Sequence, residues 1–365
     1  MRGGYPLALP LISLSYKRLG VSLIRRKTVF VVGAGASHEL GFPLGEQLLD
    51  EISKSLNYVA GQFSSVEGGS QEIWQAASME ARHNSKNTND YLKAALRVRD
   101  AAHLGLSIDN VIHQQFSDEL LVLMAKLGIS YNLLKAEDSS YLKNNNNGRQ
   151  ITWPKVRGTW LGRFAQLLVQ DVEKSSIYSI FDNVSVISFN YDRTIRRFMP
   201  MVLSSQFSIP ESDCFEIAKK LKIFYPYGYL GPLEWESSQG HVPYGSNSHH
   251  SLFDISNNIR TFTERLDNSE ELSEMRSELS AAYRIVFLGF GYLSQNMLLI
   301  SEGVEGRAAE VMGTSFLLSE SDTDIVSSQL RNFFSRSRRI DKNPTLMDMK
   351  CEEFLRKNFR TITSY

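Results

Sequence analysis

The stretch Thr28-Val-Phe-Val-Val32 runs directly into Gly33-Ala-Gly-Ala-Ser37. An apolar, β-branched run with no polar alternation describes a strand buried on both faces, as in a parallel sheet. Gly33 and Gly35 then let the chain turn tightly and bring its backbone close to another group, because neither carries a Cβ. A helical pattern follows, with Leu44, Leu48, Leu49 and Ile52 on one face. Strand, glycine turn and helix in this order open an α/β nucleotide-binding domain. The unpaired amides and positive dipole end behind such a turn suit a pyrophosphate. The third glycine of the usual dinucleotide fingerprint is replaced by Ala36-Ser37, and Gly41 comes later. A turn that serves only to pack strand on helix therefore stays open as the alternative.

Outward from this point the chain changes character. Between about residues 45 and 175 no comparable strand occurs, and residues 72–99, 110–126 and 161–173 carry helical patterns separated by polar breaks at 83–89 and 143–148. Residues 144–147, four asparagines, read as a solvated loop. Strands are expected again at 184–189, 223–225, 285–288 and 311–318, with a final helix over about 345–360. The fold class expected is α/β, a Rossmann-like doubly wound parallel sheet with a helical insertion and a helical C-terminal tail. The corresponding division is an N-terminal extension over 1–26, the main domain over 27–320, and C-terminal helices over 321–365.

Composition excludes several classes of function. The 365 residues carry 40 Lys+Arg against 40 Asp+Glu, so neither nucleic acid nor an anionic membrane has an electrostatic claim on the chain. A net charge of zero favours self-association, and a homo-oligomer is expected. Cys214 and Cys351 are the only cysteines, too few for a disulfide framework or a four-thiolate zinc site, and they suit a reducing cytoplasm. No stretch reaches the ~18 uninterrupted apolar residues of a membrane helix. The apolar stretch from Tyr5 to Leu14 holds Pro6 and Pro10, runs into Lys17 and Arg18, and lacks a small-residue cleavage site. It reads as an extension packed on the main domain rather than a signal peptide.

Three further motifs follow strands. Ser188-Phe-Asn-Tyr-Asp192 would place Asn190 and Asp192 in the crevice faced by Gly33, because ligands in such sheets sit beyond the carboxyl ends of the strands. Both residues are equally good caps for a following helix. Phe224-Tyr-Pro-Tyr-Gly-Tyr-Leu-Gly231 follows the next strand, and Phe287-Leu-Gly-Phe-Gly-Tyr-Leu-Ser-Gln-Asn296 supplies a second Gly-x-Gly turn. Two such turns would line both sides of a dinucleotide crevice.

Taken in order, GAGAS with Gly41-Phe-Pro43, Ser107-Ile-Asp109, FNYD, PYGYLG, Ile259-Arg-Thr-Phe-Thr-Glu264 and FLGFGYLSQN resemble the sirtuin-like (silent information regulator) domains of bacteria. They look most like the zinc-free branch found in anti-phage defence systems. The resemblance covers about residues 27–320 and implies a Rossmann-like domain whose members commonly hydrolyse NAD to nicotinamide and ADP-ribose. It further implies that Gly33, Ala34, Gly35, Ala36 and Ser37 form a pyrophosphate loop, with Gly41 and Pro43 as the Gly-x-Pro that follows. By the same resemblance Asn190 lies near the nicotinamide ribose and its water, Asp192 is its companion carboxylate, Gly289 and Gly291 approach the adenosine ribose, and Asp109 is structural or pocket-lining. Gly228 and Asn296 are added to the ligand-facing set. A separately encoded partner, such as a HerA-type ATPase, is implied in the same way.

Two departures from the family matter. Deacylating members bind zinc through paired cysteines, which this chain does not have, and this sharply lowers an acyl-lysine reading. The family's catalytic histidine precedes a glycine, and here Tyr227 precedes Gly228. An imidazole with pKa near 6.5 accepts a proton at neutral pH, whereas a phenol near 10 donates one. Three outcomes stand open: hydrolysis without that base, substitution by another group, or a binder of NAD or ADP-ribose that has lost catalysis. Of the histidines, His38 could touch phosphate or sit in the first helical turn. His113 could pair with Asp109 one turn away. His241, His249 and His250 fall in a Gly/Ser/Pro-containing loop.

Overall fold

The computed structural model describes residues 24–61, 66–144, 151–246, 252–260, 269–305, 308–334 and 343–363. His249, His250 and Thr261-Phe-Thr-Glu264 lie outside the described residues, as do residues 1–23 and three of the four asparagines at 144–147.

Eight strands occur among the described residues: β1 (Thr28–Val32), β2 (Tyr58–Ala60), β3 (Val66–Gly68), β4 (Val184–Ser188), β5 (Lys222–Phe224), β6 (Arg284–Leu288), β7 (Glu310–Thr314) and β8 (Thr345–Met347). Six of them form one sheet in the order β5-β4-β1-β6-β7-β8, with every neighbouring pair parallel. Passing over the separate antiparallel hairpin β2–β3, this is the 3-2-1-4-5-6 order of a dinucleotide-binding sheet, whose direction of winding reverses between β1 and β6. Every residue of β1, β4 and β6 is buried, which matches their largely apolar character.

Helices cover the sheet. Trp160–Val169 lies against β1 through an edge-to-face contact of Phe164 on Phe30, ring centroids 5.0 Å apart. Glu39 fixes this helix and a distant one at once: its carboxylate accepts the backbone N–H of Trp160 at 2.6 Å and that of Glu352 at 3.0 Å. Both are orphan amides at helix starts, and an anion suits both dipole ends. Burial pushes the Glu39 carboxyl above the ordinary glutamate value, while these backbone donors pull against it.

Residues 45–175 are mostly helical, in Gly45–Ser55, Gln71–His83, Thr88–Ala102, Ile108–Gln114, Glu119–Ser139 and Trp160–Val169, with the small hairpin as an addition. The expected helix over 110–126 is instead two helices, broken between Gln114 and Glu119, where Asp118 caps the second by accepting the Leu121 amide. Glu119–Ser139 buries residues all round its circumference, so it forms the centre of this helical layer.

Two C-terminal expectations are corrected. The strand expected over 311–318 ends at Thr314: the Ser315 amide still donates to Met347 O at 2.8 Å, but the chain then turns, with Leu317 at a left-handed φ of 63°. The helix expected over about 345–360 is a strand at its start: Thr345–Met347 pairs with β7 as the sheet's edge, and helices follow at Cys351–Lys357 and Phe359–Thr363. Buried Arg284 anchors this end by donating to the carbonyls of Ile362 at 2.6 Å and Thr361 at 2.9 Å.

Candidate functional site

The two glycine turns meet at the reversal point of the sheet. Gly33 N–H donates to Leu288 O and Gly35 N–H to Gly289 O, each at 3.0 Å. A Cβ on Gly33 would sit 2.6 Å from Gly289 O, and one on Gly289 would sit 2.1 Å from the Ala36 nitrogen at a φ of +56°. Backbone–backbone contact between the loops thus requires Gly33, Gly35 and Gly289. Thr314 holds the second loop from the next strand, its Oγ1 accepting the Gly289 amide at 2.9 Å. Gly291 differs, since a Cβ there would meet nothing within 4 Å.

The FNYD segment joins the same point. Phe189 N–H donates to Val32 O at 2.9 Å, and Asn190 Nδ2 donates to Gly33 O at 2.9 Å and to Ser37 Oγ at 2.7 Å. Ser37 Oγ–H donates in turn to Asp192 Oδ2 at 2.5 Å. Asp192 Oδ1 accepts the amide of Thr194 at 3.0 Å and its hydroxyl at 2.6 Å, so this carboxylate also caps the helix Thr194–Phe207. The result is a directed chain from amide to hydroxyl to carboxylate, in which every donor has one acceptor. Both Asn190 amide hydrogens are spent on the protein, and its Oδ1 makes no hydrogen bond among the described residues. An acceptor atom is therefore left for a hydroxyl or a water.

A second group of expected residues comes together beside the first. The Tyr227 hydroxyl donates to Asn296 Oδ1 at 2.7 Å, and the Tyr191 hydroxyl hydrogen-bonds Asp109 Oδ1. An aromatic wall joins them: Phe189 packs edge-on to Phe290 at 5.0 Å and to Tyr227 at 5.9 Å, and Tyr191 lies 6.2 Å from Tyr227. Gly228, at φ +71°, lets the chain pass the backbone of residue 258, where a Cβ would come within 2.0 Å of Asn258 O. Its glycine is set by packing.

Gly41 and Pro43 are not part of this cluster. They line a cavity of about 810 Å³ on the side of the helical layer, with Glu51, Tyr131, Asn132 and Gly245. His38 Nδ1 bonds the Phe42 carbonyl at 2.9 Å, so that nitrogen carries the proton and fixes the turn leading to Gly41.

The sequence gives no warning of the support under FNYD. Arg193, next to Asp192, is fully buried against the equally buried Glu137 of the helix Glu119–Ser139, in a forked pair of 2.9 and 2.5 Å. Its remaining hydrogens reach the carbonyls of Gly231, Val242 and Pro243. Burial alone would lower the Arg193 pKa, but the Glu137 carboxylate more than offsets it and holds the guanidinium charged. Glu137 Oε2 also accepts the Gly245 amide at 2.9 Å. One ion pair therefore clamps the helical layer, the FNYD loop and the 231–245 segment together. Among the described residues no three metal-ligating side chains gather, and no helix is long and apolar enough to cross a membrane.

Strand order and loop placement define the chain as an open, doubly wound, Rossmann-like α/β protein. No family model matches the chain, and no curated protein matches it in sequence. Among solved structures it is similar to a Sir2 homolog in complex with NAD, at 12% identity over 93% of this chain and 91% of that one, with a TM-score of 0.37. It is also similar to Sir2 in complex with the inhibitor EX-527, 2'-O-acetyl-ADP-ribose and a deacetylated p53 peptide, at 13% identity over 92% and 94% of the two chains and a TM-score of 0.35.

Proposed function

We propose that this chain is a sirtuin-like NAD-binding protein that hydrolyses NAD slowly to nicotinamide and ADP-ribose, as a bacterial anti-phage defence effector. The observation that carries the reading is the hydrogen-bonded chain Asn190–Ser37–Asp192 set against paired glycine turns where the sheet reverses direction. Ligands of such sheets bind at this crevice. Asn190 Oδ1 would accept from the nicotinamide ribose or from the attacking water, and Asp192 would stabilise positive charge developing on the sugar. In the reaction the C1′–N bond breaks with its electron pair passing to the pyridinium nitrogen, water adds to C1′, and one proton is released to solvent. Because the leaving group is good and the transition state is oxocarbenium-like, positioning and electrostatics can carry much of the barrier. A missing general base costs about 10²–10⁴-fold, which slows such a reaction without abolishing it.

A second reading, a non-catalytic sensor or scaffold for NAD or ADP-ribose, is favoured by one observation. Tyr227 stands where the family has histidine, and its single hydroxyl proton is directed to Asn296. Both readings accommodate assembly as a homo-oligomer or with a HerA-type ATPase. The test is nicotinamide release together with NAD binding. Asn190→Ala should abolish release, Tyr227→His should raise it, and Tyr227→Phe should reduce it only modestly while NAD remains bound. Release by Tyr227→His alone, with a silent wild type that still binds NAD, would establish the scaffold. Absence of NAD binding in every form would remove both readings.

A further inference from the structure

Thr314 ends β7 and is buried at the carboxyl edge of the sheet, beside the second glycine turn. It holds that turn at both ends: its Oγ1 accepts the amide of Gly289 at 2.9 Å, and its carbonyl accepts the Tyr292 hydroxyl at 2.9 Å. The two residues so held are the left-handed ones, Gly289 at a φ of 56° and Tyr292 at 52°. Glycine adopts such a φ freely, but for a tyrosine it is strained and persists only where the surroundings over-determine it. We propose that Thr314 is a positioning residue for the ligand, fixing this turn in the shape that receives oxygens of the ADP-ribose half of NAD. The proposal rests on the NAD-binding reading above.

Two observations join the held turn to a ligand. The first is where the backbone donors of the crevice go. In the first glycine turn the amides of Gly33, Gly35 and Ala36 already donate to the carbonyls of Leu288, Gly289 and Gly33. In the second turn the amides of Phe290, Gly291, Tyr292 and Leu293 make no hydrogen bond among the described residues. Gly291 is exposed, and a Cβ there would meet nothing within 4 Å, so the approach to this backbone is open. Such donors need acceptors, and the phosphate and ribose oxygens of a dinucleotide at the reversal point of the sheet supply them. The second observation is continuity with the FNYD segment. Tyr292 packs edge-on to Phe290 at 5.3 Å, and Phe290 packs edge-on to Phe189, the neighbour of Asn190, at 5.0 Å. The turn that Thr314 holds therefore shares a wall with the residue expected at the reacting end of the ligand.

The test compares ligand binding and hydrogen exchange in the full chain. Thr314→Val keeps the branched shape and removes the acceptor of the Gly289 amide, whereas Thr314→Ser keeps the hydroxyl. Isothermal titration should show NAD and ADP-ribose each bound about tenfold more weakly by Thr314→Val, the effect of one neutral hydrogen bond. Thr314→Ser should bind both within about twofold of wild type. In wild type, ADP-ribose should slow amide exchange more in residues 290–293 than in residues 33–37. A role confined to fold stability would lower the melting temperature of Thr314→Val and leave both affinities unchanged, which overturns the proposal. So would a loss that Thr314→Ser does not restore, a loss for NAD alone, or slowed exchange confined to residues 33–37. A wild type that binds neither ligand would overturn the NAD-binding reading itself, and this proposal with it.

Discussion

Arg193→Met should be among the most destabilising single changes in this protein. Wild-type Arg193 and Glu137 side chains are both 0% exposed, and the guanidinium also serves the carbonyls of Gly231, Val242 and Pro243. Methionine fills the volume but leaves the Glu137 carboxylate buried with the Gly245 amide still donating to it, near a helix C-terminus whose dipole repels it. Breaking a buried pair in this way costs about 3–5 kcal/mol, a large share of the 5–15 kcal/mol typical of a native fold. With an m-value of about 3 kcal/mol per molar urea, the unfolding midpoint should fall by roughly 1–2 M. Replacing both partners, Arg193→Met with Glu137→Leu, should recover at least half of the loss, because no charge is then buried alone. Urea titrations followed by circular dichroism measure both quantities. A loss below about 1 kcal/mol, or a double variant no better than the single, would refute the clamp.

The glycine turns and the thiols give two more tests. Gly289→Ala should cost about 2–4 kcal/mol, through a left-handed φ and a collision with the Ala36 nitrogen, and should abolish NAD binding. Gly291→Ala, whose Cβ meets nothing within 4 Å, should leave stability within about 0.5 kcal/mol of wild type yet weaken NAD binding, as read by thermal melts and isothermal titration. Cys214 and Cys351 are both buried, and burial pushes both thiols above their ordinary value, so native protein should resist iodoacetamide and expose two reactive thiols only on unfolding. Rapid labelling of native Cys351 would contradict this.

Local sequence was informative where one segment sufficed. Continuous burial makes β1, β4 and β6 mostly apolar, with Thr28, Ser185, Ser188 and Arg284 as the buried polar exceptions, so their strands were legible to within a residue. β8 was not, because one exposed and two half-buried residues at a sheet edge, beside a helix-forming sequence, carry no burial signature of their own. The break before Glu119 was hidden for a related reason: an aspartate cap is visible only once the amide it accepts is known. His38, which the sequence allows either at a phosphate or in the first helical turn, bonds the Phe42 carbonyl, and Gly228 clears the backbone of residue 258.

What the sequence by itself determined is the set of parts: parallel strands, two Gly-x-Gly turns, FNYD, and a Tyr227-Gly228 pair after the strand that follows FNYD. Each is a property of neighbours along the chain, whose periodicity and steric freedom are local. Tertiary structure alone decided what the parts are for. It showed that Gly33 and Gly35 make room for Gly289, that Ser37 links Asn190 to Asp192 across more than 150 residues, and that Asn296 Oδ1 accepts a hydrogen bond from the Tyr227 hydroxyl. It also brought Arg193 to Glu137, 56 positions apart. A hydrogen bond or an ion pair needs atoms within about 3 Å, and only the packing of helices on a wound sheet sets which distant residues come that close.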